Sequence, residues 1–181
     1  MQVRIFYNDL CKDISLDGKS KFTIGSGKND GFCLSNSDLK KNHVVLTTQK
    51  NEWQIICNGD VFLRDVALKK ETLQMSATYV LSQQYRVSLI CTDDSALQVK
   101  SLNLGNGRDV SVGRDPDNDI VLQSPLVSGH HAVIKRIGSD YCIQDSGSTN
   151  GTYLNEKRVN ESRVSPADRI AIGPFSLVFH G

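Results

Sequence analysis

The chain has 181 residues, 39% of them apolar and 23% charged, ordinary globular usage that excludes wholesale disorder. That length suits one large domain or two small ones. With 21 basic against 20 acidic residues the net charge is +1, so no dominant field marks nucleic acid or an acidic membrane surface as the partner. Apolar runs of five residues or fewer fall far short of the ~20 needed to span a bilayer. Arg4, Asp9, Lys12 and Asp13 interrupt any apolar core in the first sixteen residues, against a signal peptide. Five cysteines without a C-x-x-C pair predict reduced, mostly buried thiols in a cytoplasmic compartment, with neither a disulfide scaffold nor a zinc site.

In chain order the periodicity is that of strands. Val3–Tyr7, Lys21–Gly25, Val44–Thr47, Glu52–Cys57, Tyr85–Ile90, Ala132–Arg136, Tyr141–Gln144 and Phe175–Phe179 are short, rich in β-branched and aromatic residues, and bounded by turn formers. Ala67–Ser76 is the nearest approach to a helical stripe, and it is weak. Pro116, Pro125, Pro166 and Pro174 each stand beside Asp, Ser or Gly and belong in loops. The pattern predicts an all-β fold of sandwich type.

The chain also repeats itself. Phe22–Leu46 parallels Val110–Ile134, and Gly25 to His43 spans 18 residues, as does Gly113 to His131. From each histidine the next aromatic strand residue, Trp53 or Tyr141, falls ten further on. Trp53 to Phe62 is then 9 residues against 12 from Tyr141 to Tyr153, so the first copy lacks three residues opposite the second copy's Asp-Ser-Gly-Ser-Thr-Asn-Gly-Thr. Beyond that gap the spacing recovers, Leu63 to Tyr85 matching Leu154 to Phe175 within one residue. Two tandem sandwiches are expected, residues 1–92 and 93–181, joined near Thr92–Ser95. Their charges differ: 12 basic and 9 acidic residues in the first, 9 and 11 in the second.

Three clusters of the second copy fall between strands: Gly113-Arg114, Ser128-Gly129-His130-His131 and Asp145–Thr152. They supply a guanidinium, hydroxyls on Ser128 and Thr149, an amide on Asn150 and glycine-loosened backbone N–H groups. That inventory suits a tetrahedral dianion, because arginine gives forked, charge-assisted bonds and the other donors fill the remaining lone pairs. Other readings are weaker. Ser128, His131 and Asp145 are the residue types of a hydrolase triad, but no G-x-S-x-G elbow accompanies them. Gly25-Ser-Gly-Lys28 imitates a phosphate loop, yet Phe22 stands where its first glycine belongs and Asn29 where Ser or Thr must bind Mg²⁺. Asn150-Gly151 also carries the usual signal of a hairpin turn.

These motifs, Gly-Arg, Ser-x-x-His and Ser-Thr-Asn-Gly-Thr over about Val99–Phe179, resemble the forkhead-associated (FHA) domain, a phosphothreonine-peptide reader. The resemblance implies that Arg114 and Ser128 hold the phosphate, that Thr149 assists, and that Asn150 binds the ligand main chain. Gly129 and His130 would lie beside the ligand, and Gly129 stands where many members carry Arg, Lys or Asn. Gly113, His131 and Gly151 would support the site structurally. No catalytic group, cofactor or metal is implied. In the first copy Ser26 replaces the arginine, Lys40 the serine, and Asn58-Gly59-Asp60 is all that remains of the binding loop; it reads as a degenerate FHA-like sandwich.

An eroded FHA copy followed by an intact one, starting at Met1, is similar to the cytosolic N-terminal region of the membrane-anchored FtsK/SpoIIIE-type ATPases of type VII secretion. The expected role is then recruitment at the cytoplasmic face of the plasma membrane, with phosphothreonine proteins and other secretion components as partners. The transmembrane and ATPase parts would lie downstream, and this chain would touch neither membrane nor nucleic acid. Two alternatives stand beside it: a structural assembly domain with a vestigial site, and a free-standing adaptor in Ser/Thr kinase signalling.

Overall fold

The computed structural model describes residues 1–92, 100–102 and 108–179, so the junction expected at Thr92–Ser95 lies, beyond Thr92, outside the described residues. The chain divides into two compact units, Met1–Asn8 with Lys12–Asp93 and Asp9–Cys11 with Asp94–Gly181. Among the described residues there is no helix.

The first unit is built from β1 (Gln2–Tyr7), β2 (Leu10–Ser15) from Lys12 onward, β3 (Lys21–Gly25), β4 (Phe32–Cys33), β5 (Val44–Gln49), β6 (Glu52–Leu63), β7 (Val66–Thr72), β8 (Thr78–Ser82) and β9 (Val87–Thr92). They follow in the order β2-β1-β9-β8-β6-β5-β3-β4, with β7 along β6. Alternation places one face of each strand inside: Phe22 and Ile24 of β3, and Val44 and Leu46 of β5, are buried with Val3, Ile5, Ile55, Leu89 and Cys91. Twelve-residue β6 pairs with β5 over Glu52–Cys57 and then with β8 at Phe62 and Leu63, and so serves two strand neighbourhoods in turn.

The second unit holds β10 (Lys100–Leu102), β11 (Val110–Gly113), β12 (Ile120–Val121), β13 (Ala132–Ile137), β14 (Asp140–Asp145), β15 (Thr152–Leu154), β16 (Lys157–Val159), β17 (Glu161–Val164), β18 (Arg169–Ile172) and β19 (Phe175–Phe179). One sheet runs β12-β11-β13-β14-β17, and β10-β19-β18-β15-β16 form a second series. Val112, Leu122, Val127, Ile134, Ile143, Ile170, Ile172 and Leu177 fill the space between them. The architecture is all-β, as expected.

Up to the binding loop the repeat is exact at the level of pairing. Ile24 pairs with Phe32 as Val112 does with Ile120, and Val44 with Cys57 as Ala132 does with Asp145, every position shifted by 88 residues. After the binding loop the shift becomes 91: Leu63 faces Tyr79 as Leu154 faces Ile170. The last hairpin takes up the difference, since Val80 opposes Ser88 where Ala171 opposes Ser176.

Two expectations are corrected by these registers. The counterpart of Phe175 is Val87 rather than Tyr85, because the first copy's last hairpin carries three extra residues and Tyr85 falls in its turn. Ala67–Ser76 is no helix: β7 occupies Val66–Thr72, paired along β6, so ladder hydrogen bonds override a weak apolar spacing. All four prolines lie in turns.

Candidate functional site

Glycine at 113 is required by close approach. A Cβ there would stand 2.0 Å from the Gly129 carbonyl oxygen, so β11 can end against the segment 122–131 only without a side chain. Two backbone bonds then fasten that approach, Arg114 N–H to the Ser128 carbonyl at 2.9 Å and Asp115 N–H to the Gly129 carbonyl at 3.1 Å. Buried Asn118 adds a third clamp, its amide donating to the carbonyls of Asp115 and Gly129, both at 2.8 Å. Arg114 is thereby fixed at its backbone while half its side chain faces solvent.

The loop between β14 and β15 is organised by Asp145. Its carboxylate accepts from Gly147 N–H at 2.9 Å, Ser148 N–H at 2.8 Å, the Ser148 hydroxyl at 2.6 Å and the Thr152 hydroxyl at 2.7 Å. Burial pushes this carboxyl up, but the hydroxyls of Ser148 and Thr152 outweigh it and hold the group below its ordinary value of 3.8. Ser148 passes the order on, its oxygen accepting from Gly151 N–H at 2.9 Å. Gly151 has φ +86°, a backbone state glycine enters without cost.

His131, fully buried, ties this loop to the Ser128 loop. Its Nδ1 accepts from Ser128 N–H at 3.1 Å, which leaves the proton on Nε2 to be donated to the Gly151 carbonyl at 3.2 Å. Burial lowers its pKa below 6.5, in keeping with a neutral ring. The Ser128 hydroxyl oxygen accepts from Thr149 N–H at 3.1 Å, and the exposed Asn150 donates its amide to the Leu126 carbonyl at 2.8 Å. Ser128, Thr149, Asn150, His131 and Gly151 are thus joined in one bonded assembly, and Gly113, Arg114 and Gly129 are bonded to the same Ser128 segment.

His130 is exposed and turns to Asp117, with Nε2 3.6 Å from its carboxylate. One side-chain atom from each of Asp115, Asp117 and His130 lies within 4.8 Å of the others, and of these residues Asp115 stands 4.0 Å from Arg114 Nε. Gly129 is packed against one of them, since a Cβ there would meet the Asp115 Oδ2 at 2.3 Å. Asn150-Gly151 does not form a hairpin turn: β14 pairs with β13 and β17 while β15 pairs with β16 and β18, so the loop carries the chain from one sheet to the other. Sequence reasoning missed the hub role of Asp145 with Ser148 and Thr152, and the clamp role of Asn118. The repeat held a clue to the second, because Asp30 occupies the Asn118 position and is also buried.

The first unit keeps the scaffold of this site and lacks its donors. Ser26 N–H binds the Lys40 carbonyl at 3.2 Å, His43 Nδ1 accepts from Lys40 N–H at 3.0 Å, and His43 Nε2 donates to the Asp60 carbonyl at 3.2 Å. Cys57 stands where Asp145 stands, its thiol pushed up to about 11 by burial and, less, by Glu71. A thiol of that kind accepts hydrogen bonds only weakly.

A family model described as "FHA domain" matches residues 110–173, the stretch whose inter-strand loops are bonded together beside the half-exposed Arg114. Within this stretch the chain is similar to FHA domains. It is 48% identical over 69 residues to an oxoglutarate dehydrogenase inhibitor of Corynebacterium jeikeium, covering 38% of this chain and 48% of that one. It is 42% identical over 69 residues to the glycogen accumulation regulator GarA of Mycolicibacterium smegmatis, covering 38% and 44%. The chain spans about half the length of these curated relatives. Among solved structures, the N-terminal FHA domain of EssC, a component of the bacterial type VII secretion apparatus, covers 95% of this chain and 82% of its own, with TM-score 0.67 and 10% identity, a likeness of fold. No helix among the described residues is long and apolar enough to cross a membrane.

Proposed function

We propose that this chain is a phosphothreonine-peptide-binding module whose working site is in residues 93–181 and whose first sandwich, residues 1–92, is a degenerate copy. The observation that carries the reading is the bonded assembly around Ser128 and His131, with the Arg114 side chain half exposed and the Asp115 carboxylate 4.0 Å from its Nε. Arg114 and Ser128 take the phosphate oxygens, Thr149 adds its hydroxyl, and Asn150 meets the peptide main chain, with Gly129 and His130 alongside. Charge-assisted bonds to a dianion of about −1.5 to −2 supply most of the affinity. The chain itself does no catalysis and uses no cofactor or metal.

In the cell we place it as the cytoplasmic N-terminal recruitment region of a membrane-anchored FtsK/SpoIIIE-type ATPase of type VII secretion, binding a phosphorylated partner or other secretion components. Support comes from the fold likeness to EssC across nearly the whole chain. A free-standing FHA adaptor is the second reading, favoured by 48% identity to the corynebacterial inhibitor within the FHA segment. The deciding binding experiment is a calorimetric titration of the intact chain with one peptide in phosphothreonine and threonine forms. Binding of the first alone is expected, weakening as salt rises, and equal binding of the two would overturn the reading. Transmembrane segments following residue 181 in the gene would separate the secretion role from the adaptor.

A further inference from the structure

The two copies differ in a second place besides the binding loop. In the second copy the β18–β19 turn lies against the segment before β13, a Cβ on Gly173 standing only 3.2 Å from Val127 Cγ2 and 3.4 Å from Leu126 Cβ. In the first copy the corresponding β8–β9 hairpin is longer, Val80 opposing Ser88 where Ala171 opposes Ser176. There a pocket of about 290 Å³ opens, walled by Tyr85 and Val87 of the hairpin, Tyr7 and Asn8 at the end of β1, and Cys33–Ser37. The Leu34–Ser37 wall belongs to the same segment that carries Lys40 and His43.

Its lining chemistry is uniform. No Lys, Arg, Asp or Glu lines it, so an ion entering it would lose water without gaining a counter-charge. Tyr7, Leu34, Tyr85 and Val87 offer apolar surface, and Tyr7 is held in place edge-on to Phe32 at 5.5 Å. Asn8, Ser35 and Asn36 offer amides and a hydroxyl without a side-chain hydrogen-bond partner among the described residues. Asparagine both donates and accepts, as a peptide bond requires. Apolar walls with a few convergent neutral polar groups are the composition of a ligand site.

We propose that this pocket binds a neutral, unphosphorylated peptide segment, an apolar or aromatic side chain packing on the tyrosines while Asn8, Ser35 and Asn36 meet its main chain. The first sandwich would then be a reader of a different chemical class from the second, independent of whether the second binds phosphothreonine.

Cys33 supplies the test, as the exposed cysteine of the chain beside three buried and one partly buried. The intact protein is alkylated with iodoacetamide in the presence of N-acetylphenylalaninamide or its free acid, with Cys33→Ser confirming the labelled position. Millimolar affinity is the scale for so small a probe. The neutral amide is expected to slow Cys33 alkylation about threefold at saturation and to shift the backbone resonances of residues 33–37, and the acid to do neither. Ser35→Arg, at an exposed position, should abolish the protection. Absence of protection by the amide, equal protection by the acid, or undiminished protection in Ser35→Arg would each overturn the proposal. A phosphothreonine titration on the same sample reads the other site separately.

Discussion

Asp115 Oδ1 lies 4.0 Å from Arg114 Nε, and the same carboxylate fills the space where a side chain on Gly129 would begin. The arginine that would meet a phosphate is therefore flanked by a negative charge that partly occupies it. A phosphate arriving there repels Asp115, and Asp117 stands close behind.

Asp115→Asn should accordingly tighten phosphothreonine-peptide binding, by up to about fivefold for an exposed charge worth no more than about 1 kcal/mol. The gain should shrink in high salt. Calorimetric titration at two ionic strengths measures it, and weaker binding by the variant would count against the placement of the phosphate at Arg114.

Arg114→Ala should remove phosphopeptide binding and leave stability within about 0.5 kcal/mol, as for an exposed side chain outside the core. Arg114→Lys should restore little, because a point charge on a flexible stem does not replace a planar fork. Thermal melts alongside the titration separate lost binding from lost folding.

Asp145→Asn exchanges the carboxylate oxygen that receives the Ser148 and Thr152 hydroxyls for an oxygen or an N–H₂, which cannot satisfy all four donors. Loss of satisfied bonds at such a hub costs about 2 kcal/mol, and the loop Ser146–Gly151 should lose its amide-exchange protection. Phosphopeptide affinity should fall with it although no ligand contact has been removed.

Acid should loosen the site in two steps. His131 has a folded-state pKa below its unfolded value of 6.5, so the unfolded chain binds the proton first and stability is lost as pH falls below that value. The geometry agrees, since a proton on Nδ1 would point at Ser128 N–H. Asp145 is likewise held below 3.8, so its contribution is present above that pH and disappears as pH falls through the lower, folded value. Urea melts from pH 7.5 to 3 should show declining stability beginning near 6.5, and His131→Ala, expected to cost about 2–4 kcal/mol through cavity and unpaired donors, should flatten the first decline.

Residues 1–92 should bind no phosphothreonine peptide, and Ser26→Arg should not rescue them. The backbone bond from Ser26 to Lys40 would present the arginine correctly, but Cys57 replaces the loop's organising carboxylate and three loop residues are missing. Phosphothreonine-dependent shifts at Ser26, Lys40 and Asn58–Asp60 would show a working site there.

Much of this was readable in the residues. The repeat was fixed by Gly25, His43, Gly113 and His131, and its spacing held because those residues mark where backbones touch and where a ring joins two loops. The candidate site residues stood in recognisable motifs for the same reason. What escaped was interior wiring: Asp145, Ser148 and Thr152 are ordinary loop residues until their oxygens are seen converging, and Asn118 looks like any turn former. Tyr85 misled because aromatic character suggested a strand where the turn chemistry of a longer hairpin prevailed.

The unbroken course of β6, against the division of its counterpart into β14 and β15, shows where a sandwich of this design accepts change. The registers on either side of the break are kept while the β6–β7 pairing shifts register between Ile56 and Val61, so three residues enter or leave at a place the ladder already interrupts, and closing a slightly longer loop costs little chain entropy. That joint is a natural cassette position: loops of varied length and chemistry transplanted between Cys57 and Val61, or between Asp145 and Thr152, would redirect what the sandwich recognises while its core goes on folding as before.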